Sequence, residues 1–541
     1  MVIMAISSSY ALMLLPLPLL VLLLLSIFLL LWPAAANAAI SWGKQQQSRI
    51  SHGSKKKKKL ISLPPSPPGG LPIIGHLHLM GAQPHLALRD LAKKHGDLML
   101  LRLGAVPNLI VSSACAAEAV MRTHDHVFAS RPRSTVAEIL FKSSMDVGFA
   151  PYGEQWRQSR KLVTAHLLSM KKVRSFGHAR HDEVRLAIAR IHDHARTVVD
   201  MSDLLYSFSN DLVCRAVSGK FFMEEGRNQL FRELIGMNTA VLDGFHVQDY
   251  FPRLAQFDFL TRVVSGKVKK LQERWHQLLD NLIDAHANKS SRRSLIVEEN
   301  DDQETDFIDV LLSLQQEYGL TRDQMKAIMM DMFAAGTDTS YITMEYALTE
   351  LVRNPHVMAK LQAEVRRNTP NNQEMVMEEN LGNMTYLKAV IKETLRLHPP
   401  VPLLLPHQSM VDCTVDGYMI PAQTRVIINA WAISRDPRSW DRAEEFIPER
   451  FITGSTVGID FKGSDFQFTP FGAGRRICPG LNFALATVET MLANLIYCFD
   501  WELPTGKEDV DMTDVFGVTM HRKEKLFLVP KPFDVYHVLE N

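Results

Sequence analysis

Residues 471–480 read FGAGRRICPG, and this stretch carries more information about the chain than any other. It places Cys478 in a glycine-containing, doubly basic loop that runs directly into the apolar segment 481–495. A thiol near a helix N-terminus and guanidinium groups is favoured as the thiolate. The thiolate is the form that binds a soft metal or a haem iron. The glycines let backbone N–H groups approach the sulfur, and Phe471 is placed to shield it from water. Taken alone, the same cysteine reads as a buried free thiol in a tight turn.

The pattern F-x-x-G-x-R-x-C-x-G in this stretch resembles the haem-binding loop of the cytochrome P-450 monooxygenases, and all of its fixed positions are filled. The resemblance implies a haem b with the Cys478 thiolate as the axial ligand of its iron. It also implies that Phe471, Gly472 and Gly474 shape the loop around the haem. Arg476 would then meet the haem propionates. The implied fold is that of the cytochrome P-450 family.

The composition argues against several other classes of protein. The 541 residues carry a formal net charge of +1, which gives no argument for a nucleic-acid partner. The cysteines stand at positions 115, 214, 413, 478 and 498, without a C-x-x-C pair. This scatter fits neither a disulfide framework nor a zinc site, and it indicates a reducing compartment. The length alone suggests several domains, whereas the resemblance implies one catalytic domain over residues 71–541.

The N-terminal region predicts a membrane anchor. Residues 12–32 contain no charged side chain and are dominated by leucine, enough for about 30 Å of helix. Lysines fill positions 55–59, and a basic block after an apolar segment keeps the downstream chain cytoplasmic. We predict a single-pass signal anchor at 12–32 in the endoplasmic reticulum membrane, with the catalytic domain cytoplasmic. Residues 1–11 would be lumenal, and residues 33–70 would form a basic and proline-rich linker.

A cleaved signal peptide is the alternative interpretation of this region, because residues 36–38 read ANA, an A-x-A type of cleavage site. No basic residue precedes the apolar run, however, and the lysines behind it would resist translocation. The sequons at Asn288 and Asn383 distinguish the two interpretations. A cytoplasmic body leaves both of them unglycosylated.

Helical periodicity dominates from residue 71 onward, and extended patterns are few. Apolar residues recur at i, i+3 or i+4 spacing over residues 86–95, 170–196, 263–287, 324–353, 357–367 and 387–397. Alternating or β-rich patterns predict strands at 98–103, 108–112, 414–420 and 425–429. Residues 290–306 are polar and predict an exposed loop. The predicted fold class is therefore mainly α with a minor β-sheet (α+β).

Residues 393–396 read ETLR and place Glu393 and Arg396 on one helix face, where a carboxylate and a guanidinium can pair. Taken alone, such a pair is a solvated surface bridge worth about 0.3–0.5 kcal/mol. The sequence PERF at 448–451 supplies Arg450 in a later loop. In the family that the cysteine loop resembles, an E-x-x-R helix and a later arginine interlock. The resemblance therefore implies a structural role for all three side chains on the thiolate side of the haem.

Residues 334–340 read AAGTDTS and interrupt the apolar 324–353 segment with small and hydroxylated residues. Hydroxyl groups that bond back to carbonyls one turn earlier bend a helix, and close approach of another helix also explains small residues. The segment is similar to the family's A-G-x-D-T-[ST] sequence on the long helix above the haem. The resemblance implies a locally opened helix in which Gly336 leaves space for dioxygen. Asp338 would deliver protons, and Thr339 would hydrogen-bond the bound dioxygen.

Two further segments bear on haem binding. Trp156 and Arg160 lie four residues apart, a spacing that suits an anionic group but also a basic surface helix with a packed Trp. They resemble the family's W-x-x-x-R, which implies contact with a haem propionate. A proline-rich apolar run ends at Pro406, and His407 follows where an arginine facing a propionate is common. The resemblance implies that His407 donates a hydrogen bond there, with less charge.

The activity implied by the resemblance is that of a plant microsomal A-type monooxygenase. Electrons originate in NADPH and arrive from a flavoprotein, the NADPH–cytochrome reductase, in the same lipid bilayer. Lys161 and Arg475 are candidate docking residues for its acidic surface, with a plain solvated basic face as the alternative. One oxygen atom enters the substrate and the other leaves as water. The haem performs the oxidation, and protein groups orient the substrate and supply protons.

The predicted substrate is small and apolar. Four residues match cavity-lining positions of the family, and none offers a fixed charge, although each is equally well explained as core: Ala335, Val401, Leu404 and Val518. Terpenoids, phenylpropanoids, fatty acids and indoles stay open, with a terpenoid hydrocarbon of specialised metabolism favoured. The alternatives are a haem-thiolate isomerase or dehydratase that does not use dioxygen, and a non-enzymatic haem-binding protein. The acid and hydroxyl of the AAGTDTS segment argue against the isomerase.

Overall fold

The computed structural model describes residues 62–219, 227–253, 258–293 and 305–533. The predicted membrane anchor, the lysine block and the first part of the predicted linker lie outside the described residues. The last part of that linker packs against the folded body. The Leu100 N–H donates to the Pro65 carbonyl (2.8 Å), and the Met419 N–H donates to the Ser62 carbonyl (2.8 Å). Backbone pairing of this kind ties residues 62–70 to the sheet region.

The architecture is mainly α-helical with small sheets, as the sequence predicts. The helices of the N-terminal half are α1 (Pro84–His95), α2 (Ala114–Glu118), α3 (Asp125–Phe128), α4 (Thr135–Leu140), α5 (Glu154–Leu162), α6 (Met170–Ser175), α7 (Gly177–Asp193), α8 (Met201–Ser218), α9 (Arg227–Leu242) and α10 (Val247–Tyr250). Those of the C-terminal half are α11 (Asp258–Arg293), α12 (Phe307–Ser313), α13 (Gln315–Tyr318), α14 (Arg322–Arg353), α15 (Pro355–Asn368), α16 (Thr385–Leu397), α17 (Ala430–Ile433) and α18 (Leu481–Cys498).

The strands form separate small sheets at the edges of the helical body. They are β1 (Leu98–Leu103), β2 (Val106–Val111), β3 (Val199–Asp200), β4 (His407–Gln408), β5 (Cys413–Val415), β6 (Tyr418–Ile420), β7 (Arg425–Ile428), β8 (Phe499–Glu502), β9 (Asp514–Val515), β10 (His521–Arg522) and β11 (Phe527–Pro532). The largest sheet has the order β1-β2-β7-β4, with β2 and β7 parallel and the other pairs antiparallel. A second sheet has the order β3-β11-β8, and β5–β6 and β9–β10 are hairpins.

Three predicted elements differ from the structure in instructive ways. The predicted helix at 170–196 is two helices, α6 and α7, because the chain breaks direction at Phe176 before Gly177. The predicted strand at 414–420 is the β5–β6 hairpin, since Asp416 and Gly417 take positive φ values of 48° and 80°. Helix α11 continues to Arg293, so residues 290–293 of the predicted polar loop are helical, and residues 294–304 of it lie outside the described residues.

The long helix α14 forms the centre of the body. It begins at a capping box in which Thr321 and Gln324 satisfy each other's backbone N–H groups. Most of its residues from Met325 to Leu351 are buried, which is typical of a core helix rather than a surface helix. Helices α8 and α18 pack along it. A long, rigid, buried helix of this kind is a suitable wall for an internal cavity.

Helix α18 follows the cysteine loop and packs in the same core. Within the described part of the chain, it is the one helix long and apolar enough to cross a membrane. Its side chains from Thr487 to Tyr497 are nearly all buried among those of the other helices. Its hydrophobicity therefore serves the core, and it fixes the end of the cysteine loop.

Candidate active site

A cavity lies where α14, the cysteine loop and the chain between α16 and β4 converge. Its walls combine apolar side chains with a group of basic ones. The predicted site residues that line it are Arg160, Ala335, Gly336, Thr339, Val401, Leu404, His407, Phe471, Gly472, Arg476 and Cys478. Four other predicted residues stand elsewhere: Trp156, Asp338, Gly474 and Val518. The structure thus brings most of the predicted site together from distant parts of the sequence.

The cysteine loop closes on itself through its backbone. The Cys478 N–H donates to the Phe471 carbonyl (2.9 Å), which holds both residues at one wall of the cavity. Gly472 and Gly474 have φ values of +67° and +65°, a region that favours glycine. A Cβ on Gly474 would lie 2.2 Å from the Met121 carbonyl oxygen, so no larger residue fits there without movement. Gly474 therefore lets the loop pass close to the Met121 backbone, outside the cavity.

The surroundings of the Cys478 sulfur differ partly from the sequence prediction. Burial raises the pKa of the thiol, whereas the Gly480 and Leu481 N–H groups and the charge of Arg160 lower that pKa. The N–H groups lie at the start of α18, as expected for a cysteine next to a helix N-terminus. The guanidinium that acts on the sulfur belongs to α5, however, and not to the cysteine loop. Arg160 donates to the Ile477 carbonyl, which fixes it beside the sulfur.

The two arginines of the cysteine loop point away from the sulfur. Arg475 pairs with Asp125 (2.6 Å) at the protein surface. Arg476 is buried and donates to the carbonyls of Ala129 (2.7 Å), Val147 (3.2 Å) and Ala150 (2.6 Å). These three bonds leave part of its guanidinium free at the cavity wall. The sequence predicted that Arg475 and Arg476 lower the pKa of the Cys478 thiol. In the structure both guanidinium groups bind other partners instead.

Trp156 is not among the residues that line the cavity, and the propionate contact that its motif implied stays a prediction. Its indole N–H donates to the Val147 carbonyl (3.0 Å), so the donor is already satisfied by backbone. The Arg476 guanidinium lies over the ring at 4.0 Å. This cation–π contact makes Trp156 a support for Arg476. Arg160, one helical turn later, is the member of the motif that lines the cavity.

His407 lines the cavity, but its hydrogen bonding differs from the prediction. The ring Nδ1 lies 2.8 Å from the Phe128 carbonyl, which can only accept, so Nδ1 carries the hydrogen. Burial, and next the charge of Arg131, lower the pKa of His407 to about 3. The ring is therefore neutral, and its Nε2 is an acceptor rather than the donor expected from the sequence. A carboxylate could form a hydrogen bond with His407 Nε2 only if one of these two groups carried a proton.

Arg131 is a cavity residue that the sequence analysis missed. It is buried and donates to the carbonyls of Gly148 (3.0 Å), Leu405 (2.6 Å) and Pro406 (2.9 Å). Together with Arg160 and Arg476 it gives one end of the cavity a positive charge. The surrounding sequence SRPR at 130–133 reads as an exposed basic turn, so no local signal identified it.

The AAGTDTS segment is continuous α-helix, not the locally opened helix that was predicted. The hydroxyl of Thr339 donates to the Ala335 carbonyl (2.7 Å) in the preceding turn. Asp338 faces the opposite direction, where it accepts a hydrogen bond from the Thr239 hydroxyl of α9 (2.7 Å). Burial raises the pKa of Asp338 to about 6. The acid and the hydroxyl are thus neighbours in sequence but lie on different faces of α14.

Gly336 lines the cavity with its backbone, while its missing side chain points at another helix. A Cβ there would lie 2.9 Å from Cγ2 of Val213 on α8. The structure therefore gives the close approach of a second helix as one reason for glycine at this position. The space for dioxygen that the resemblance implies stays a prediction.

The predicted substrate residues divide between cavity and surroundings. Ala335, Val401 and Leu404 line the cavity. Val518 does not, because its N–H donates to the Asp243 carboxylate, which fixes its turn beside the end of α9. The lining also contains an acid, Asp331, on the same stripe of α14 as Ala335. The sequence prediction covered four uncharged lining positions and did not identify this acid.

Glu393, Arg396 and Arg450 form a buried network, not a solvated surface bridge. Arg396 donates two parallel hydrogen bonds to Glu393, from Nε to Oε2 (2.8 Å) and from Nη2 to Oε1 (2.8 Å). Arg450 Nε donates to Glu393 Oε1 (3.0 Å). Neither Glu393 nor Arg396 has any exposed side-chain surface. The network joins α16 to the 448–451 turn.

Comparison with known proteins identifies the family. The family model for cytochrome P450 matches residues 64–529. The chain belongs to the cytochrome P450 family. An indole-2-monooxygenase of Zea mays is 60% identical over 479 residues, covering 87% of this chain and 88% of that protein. An indolin-2-one monooxygenase of Zea mays is 54% identical over 493 residues, covering 89% and 91%. A zebra fish cytochrome P450 structure with abiraterone has a TM-score of 0.70 at 23% identity, covering 84% of this chain and all of that one, and supports the fold alone.

This plant P450 is accordingly a monooxygenase that uses haem b and electrons delivered from NADPH by a reductase. The residues present fit such a cofactor. A cysteine with a helix N-terminus behind it forms one wall, and Arg131, Arg160 and Arg476 lie together at one end of the cavity. Burial lowers the pKa values of all three guanidinium groups, so a bound anion would stabilise their charged forms. The two propionates of a haem would be such anions.

Proposed function

We propose that this P450 is a membrane-anchored monooxygenase of specialised metabolism that inserts one oxygen atom into an indole-type nitrogen heterocycle. The observation that carries the proposal is the cavity. Its walls bring the Cys478 thiol, the Thr339 hydroxyl and apolar side chains around one space that also contains an acid, Asp331. The names of the similar maize enzymes, an indole-2-monooxygenase and an indolin-2-one monooxygenase, support the substrate class. The terpenoid hydrocarbon favoured by the sequence has no polar group for that acid.

In this proposal Cys478 would hold the haem iron through its thiolate sulfur. The start of α18 and Arg160 stabilise its thiolate, in opposition to burial. Arg131, Arg160 and Arg476 bind the propionates, and Trp156 holds Arg476 in place from behind. When bound, the haem supplies the oxidation by activating dioxygen. The protein orients the substrate, excludes water and supplies protons.

Proton supply is assigned to two residues with different roles. Asp338, with its pKa raised to about 6, exchanges a proton near neutral pH. Its contact with Thr239 places it on the side of α14 that faces α9. Thr339 lies on the cavity side, and its hydroxyl can rotate away from the Ala335 carbonyl to donate into the cavity. The proton then reaches the cavity by way of water between these two positions.

The membrane placement is part of the same proposal. A signal anchor at residues 12–32 would hold the enzyme in the endoplasmic reticulum membrane, with the catalytic domain cytoplasmic. The reductase would dock on the side of the cysteine loop, where Lys161 is exposed. Arg475, the other predicted docking residue, already pairs with Asp125 and contributes less free charge.

The test uses the full chain in membranes together with a plant reductase and NADPH. Indole and indolin-2-one are supplied separately, and products are analysed by mass spectrometry. We expect a product that carries one additional oxygen atom and needs NADPH. A Cys478→Ala variant serves as the control, and it should form no product. It should also lose the Soret band at about 450 nm that the reduced, carbon-monoxide-treated protein shows when a thiolate ligates the haem. Product formation without NADPH, or oxidation of terpenoids alone, would contradict the proposal.

A further inference from the structure

Two acids, the buried Asp146 and the partly exposed Asp331, meet beside the cavity, and the mechanism above uses neither of them. Asp331 lies on α14 and lines the cavity, and Asp146 lies on the chain between α4 and α5. A Cβ built on Gly148 would be 3.4 Å from Asp146 Oδ2 and 3.6 Å from Asp331 Oδ1. Both carboxyl groups therefore approach one point on the cavity wall, where Gly148 leaves them uncovered.

The two acids differ in their partners. Asp146 accepts a hydrogen bond from the Phe149 N–H and interacts electrostatically with Arg476 and Arg131. Asp331 accepts a hydrogen bond from the Val147 N–H (2.6 Å). No basic side chain in the described part of the chain acts on Asp331, whose pKa is raised by burial and next by the charge of Asp146.

The raised pKa favours the protonated, uncharged form of Asp331, whose carbonyl oxygen remains an acceptor. The backbone N–H groups of residues 147 and 148 occupy only part of the acceptor capacity of this carboxyl group. A buried acceptor that stays unmatched costs free energy, so such a group is stabilised by a ligand that donates a hydrogen bond. Since Asp331 shares its stripe of α14 with Ala335 and Thr339, that ligand would lie in the substrate cavity.

We propose that Asp331 selects the substrate of this enzyme by accepting a hydrogen bond from a ring N–H. Asp146 provides the second carboxyl group of the pair. The inference rests on the proposed function, which supplies the class of heterocycle. Asp331 is then a specificity-determining residue for the reaction. The donor is a neutral N–H on an otherwise apolar bicyclic ring, because the other walls of the cavity near Asp331 are largely apolar.

The structure also fixes how firmly this acceptor is held. The segment 146–150 is tied from several sides: Arg131 binds the Gly148 carbonyl, Arg476 binds the Val147 and Ala150 carbonyls, and the Trp156 indole binds the Val147 carbonyl. The Val147 N–H then fixes Asp331 from the cavity side. A preorganised acceptor of this kind discriminates well, because a substrate that lacks the donor leaves it unpaired.

The test compares ligands that differ only in the donor. Indene has a CH2 group where indole has its N–H, and indan-2-one is related to indolin-2-one in the same way. Dissociation constants are measured by the substrate-induced shift of the Soret band of the detergent-solubilised, full-chain holoenzyme. We expect the wild type to bind each N–H ligand about tenfold more tightly than its carbon analogue.

Two variants remove the acceptor in different ways. Asp331→Leu removes both oxygens at a similar side-chain volume, whereas asparagine would keep a carbonyl oxygen that still accepts. Gly148→Ala adds a methyl group at ordinary contact distance from both carboxyl groups, without a clash, and covers them. In both variants the N–H to CH2 ratio should fall to near one. Asp323→Asn, which removes a partly exposed acid at the start of the same helix, should keep the wild-type ratio.

Binding and turnover are read separately, so the inference and the proposed function fail in different ways. If indole binds but gives no oxygenated product, the proposed function is wrong, while the ratio still judges Asp331. If both variants keep the tenfold preference, the role of Asp331 is wrong even where indole is oxidised. If no ligand of either pair shifts the Soret band of the wild-type holoenzyme, both ideas are overturned.

Discussion

Replacing Glu393 by glutamine should remove much of the stability of the haem-binding half of the molecule. The Glu393 carboxylate accepts four hydrogen bonds in the structure, two from Arg396 (2.8 Å each), one from Arg450 (3.0 Å) and one from the Ile447 N–H (2.8 Å). Glutamine keeps one acceptor oxygen and places an NH2 group where the second oxygen stood. That group would face a guanidinium N–H of Arg396, and two donors cannot pair.

The magnitude follows from the burial of the network. Glu393 and Arg396 have no exposed side-chain surface, and Arg450 has 7%. Removing one partner of a buried ion pair costs about 3–5 kcal/mol, because the remaining charge stays in a poorly polarisable interior. Two guanidinium groups lose their counter-charge in Glu393→Gln. Against a typical total stability of about 5–15 kcal/mol, this loss is a large fraction.

The assay follows the Soret band at about 450 nm, the signal of a thiolate-ligated haem, in mildly heated membranes. Its half-life is measured rather than an equilibrium constant, because large proteins rarely unfold reversibly. Glu449→Gln is the matched control, because Glu449 forms a partly exposed bridge to Lys360 (2.6 Å) in the same region. A surface bridge is worth about 0–1 kcal/mol, so this control should behave almost as the wild type. Equal half-lives for Glu393→Gln and Glu449→Gln would refute the reasoning.

Three further predictions address other parts of the site. Gly474→Ala should cost about 1–3 kcal/mol and lower the haem content of purified protein, because φ is +65° and a Cβ would lie 2.2 Å from the Met121 carbonyl oxygen; wild-type haem content would contradict this. Asp338→Asn should keep its hydrogen bond to Thr239 and its fold but lower the rate of product formation by about a hundredfold, whereas Thr239→Val, which removes that hydrogen bond and keeps the acid, should stay close to the wild-type rate. Acidification should destabilise the enzyme through His85, whose pKa is lowered from 6.5 to about 4, chiefly by burial. The unfolded chain binds that proton from 6.5 downward and the folded chain only near 4, so stability falls as the pH drops through this window, and His85→Phe should flatten the fall in thermal denaturation curves.

Several features of this enzyme could be predicted from the sequence because their physical cause is local. The glycines and the following apolar helix of the cysteine loop lie within a few residues of Cys478, although the guanidinium that acts on the sulfur comes from α5. Helix periodicity likewise predicted the 324–353 segment, which is α14 with a capping box at its start. The mainly α fold class followed from the same periodicity. The apolar periodicity continues across the short break between α6 and α7, so the sequence predicted one helix where the structure has two.

Other features depended on which atoms meet from distant segments, and the sequence was silent on them. Arg131 looks like a surface turn until its guanidinium binds the Leu405 and Pro406 carbonyls, 274 and 275 residues away. The motif of Trp156 does not show that its indole N–H donates to the Val147 carbonyl, nine residues earlier. Asp338 and Thr339 are adjacent in sequence, yet a helical step turns them to different neighbours.

The amino-acid sequence by itself determined the haem-thiolate chemistry, because a thiolate ligand and its supporting loop are built from neighbouring residues. Only the tertiary structure decided what else faces the cavity, including the Asp331 carboxyl group that we propose as the substrate's partner. The reason is physical: a charge, a tautomer or an unpaired acceptor is defined by its surroundings, and burial brings those surroundings together from α14, the 146–150 segment and the chain before β4.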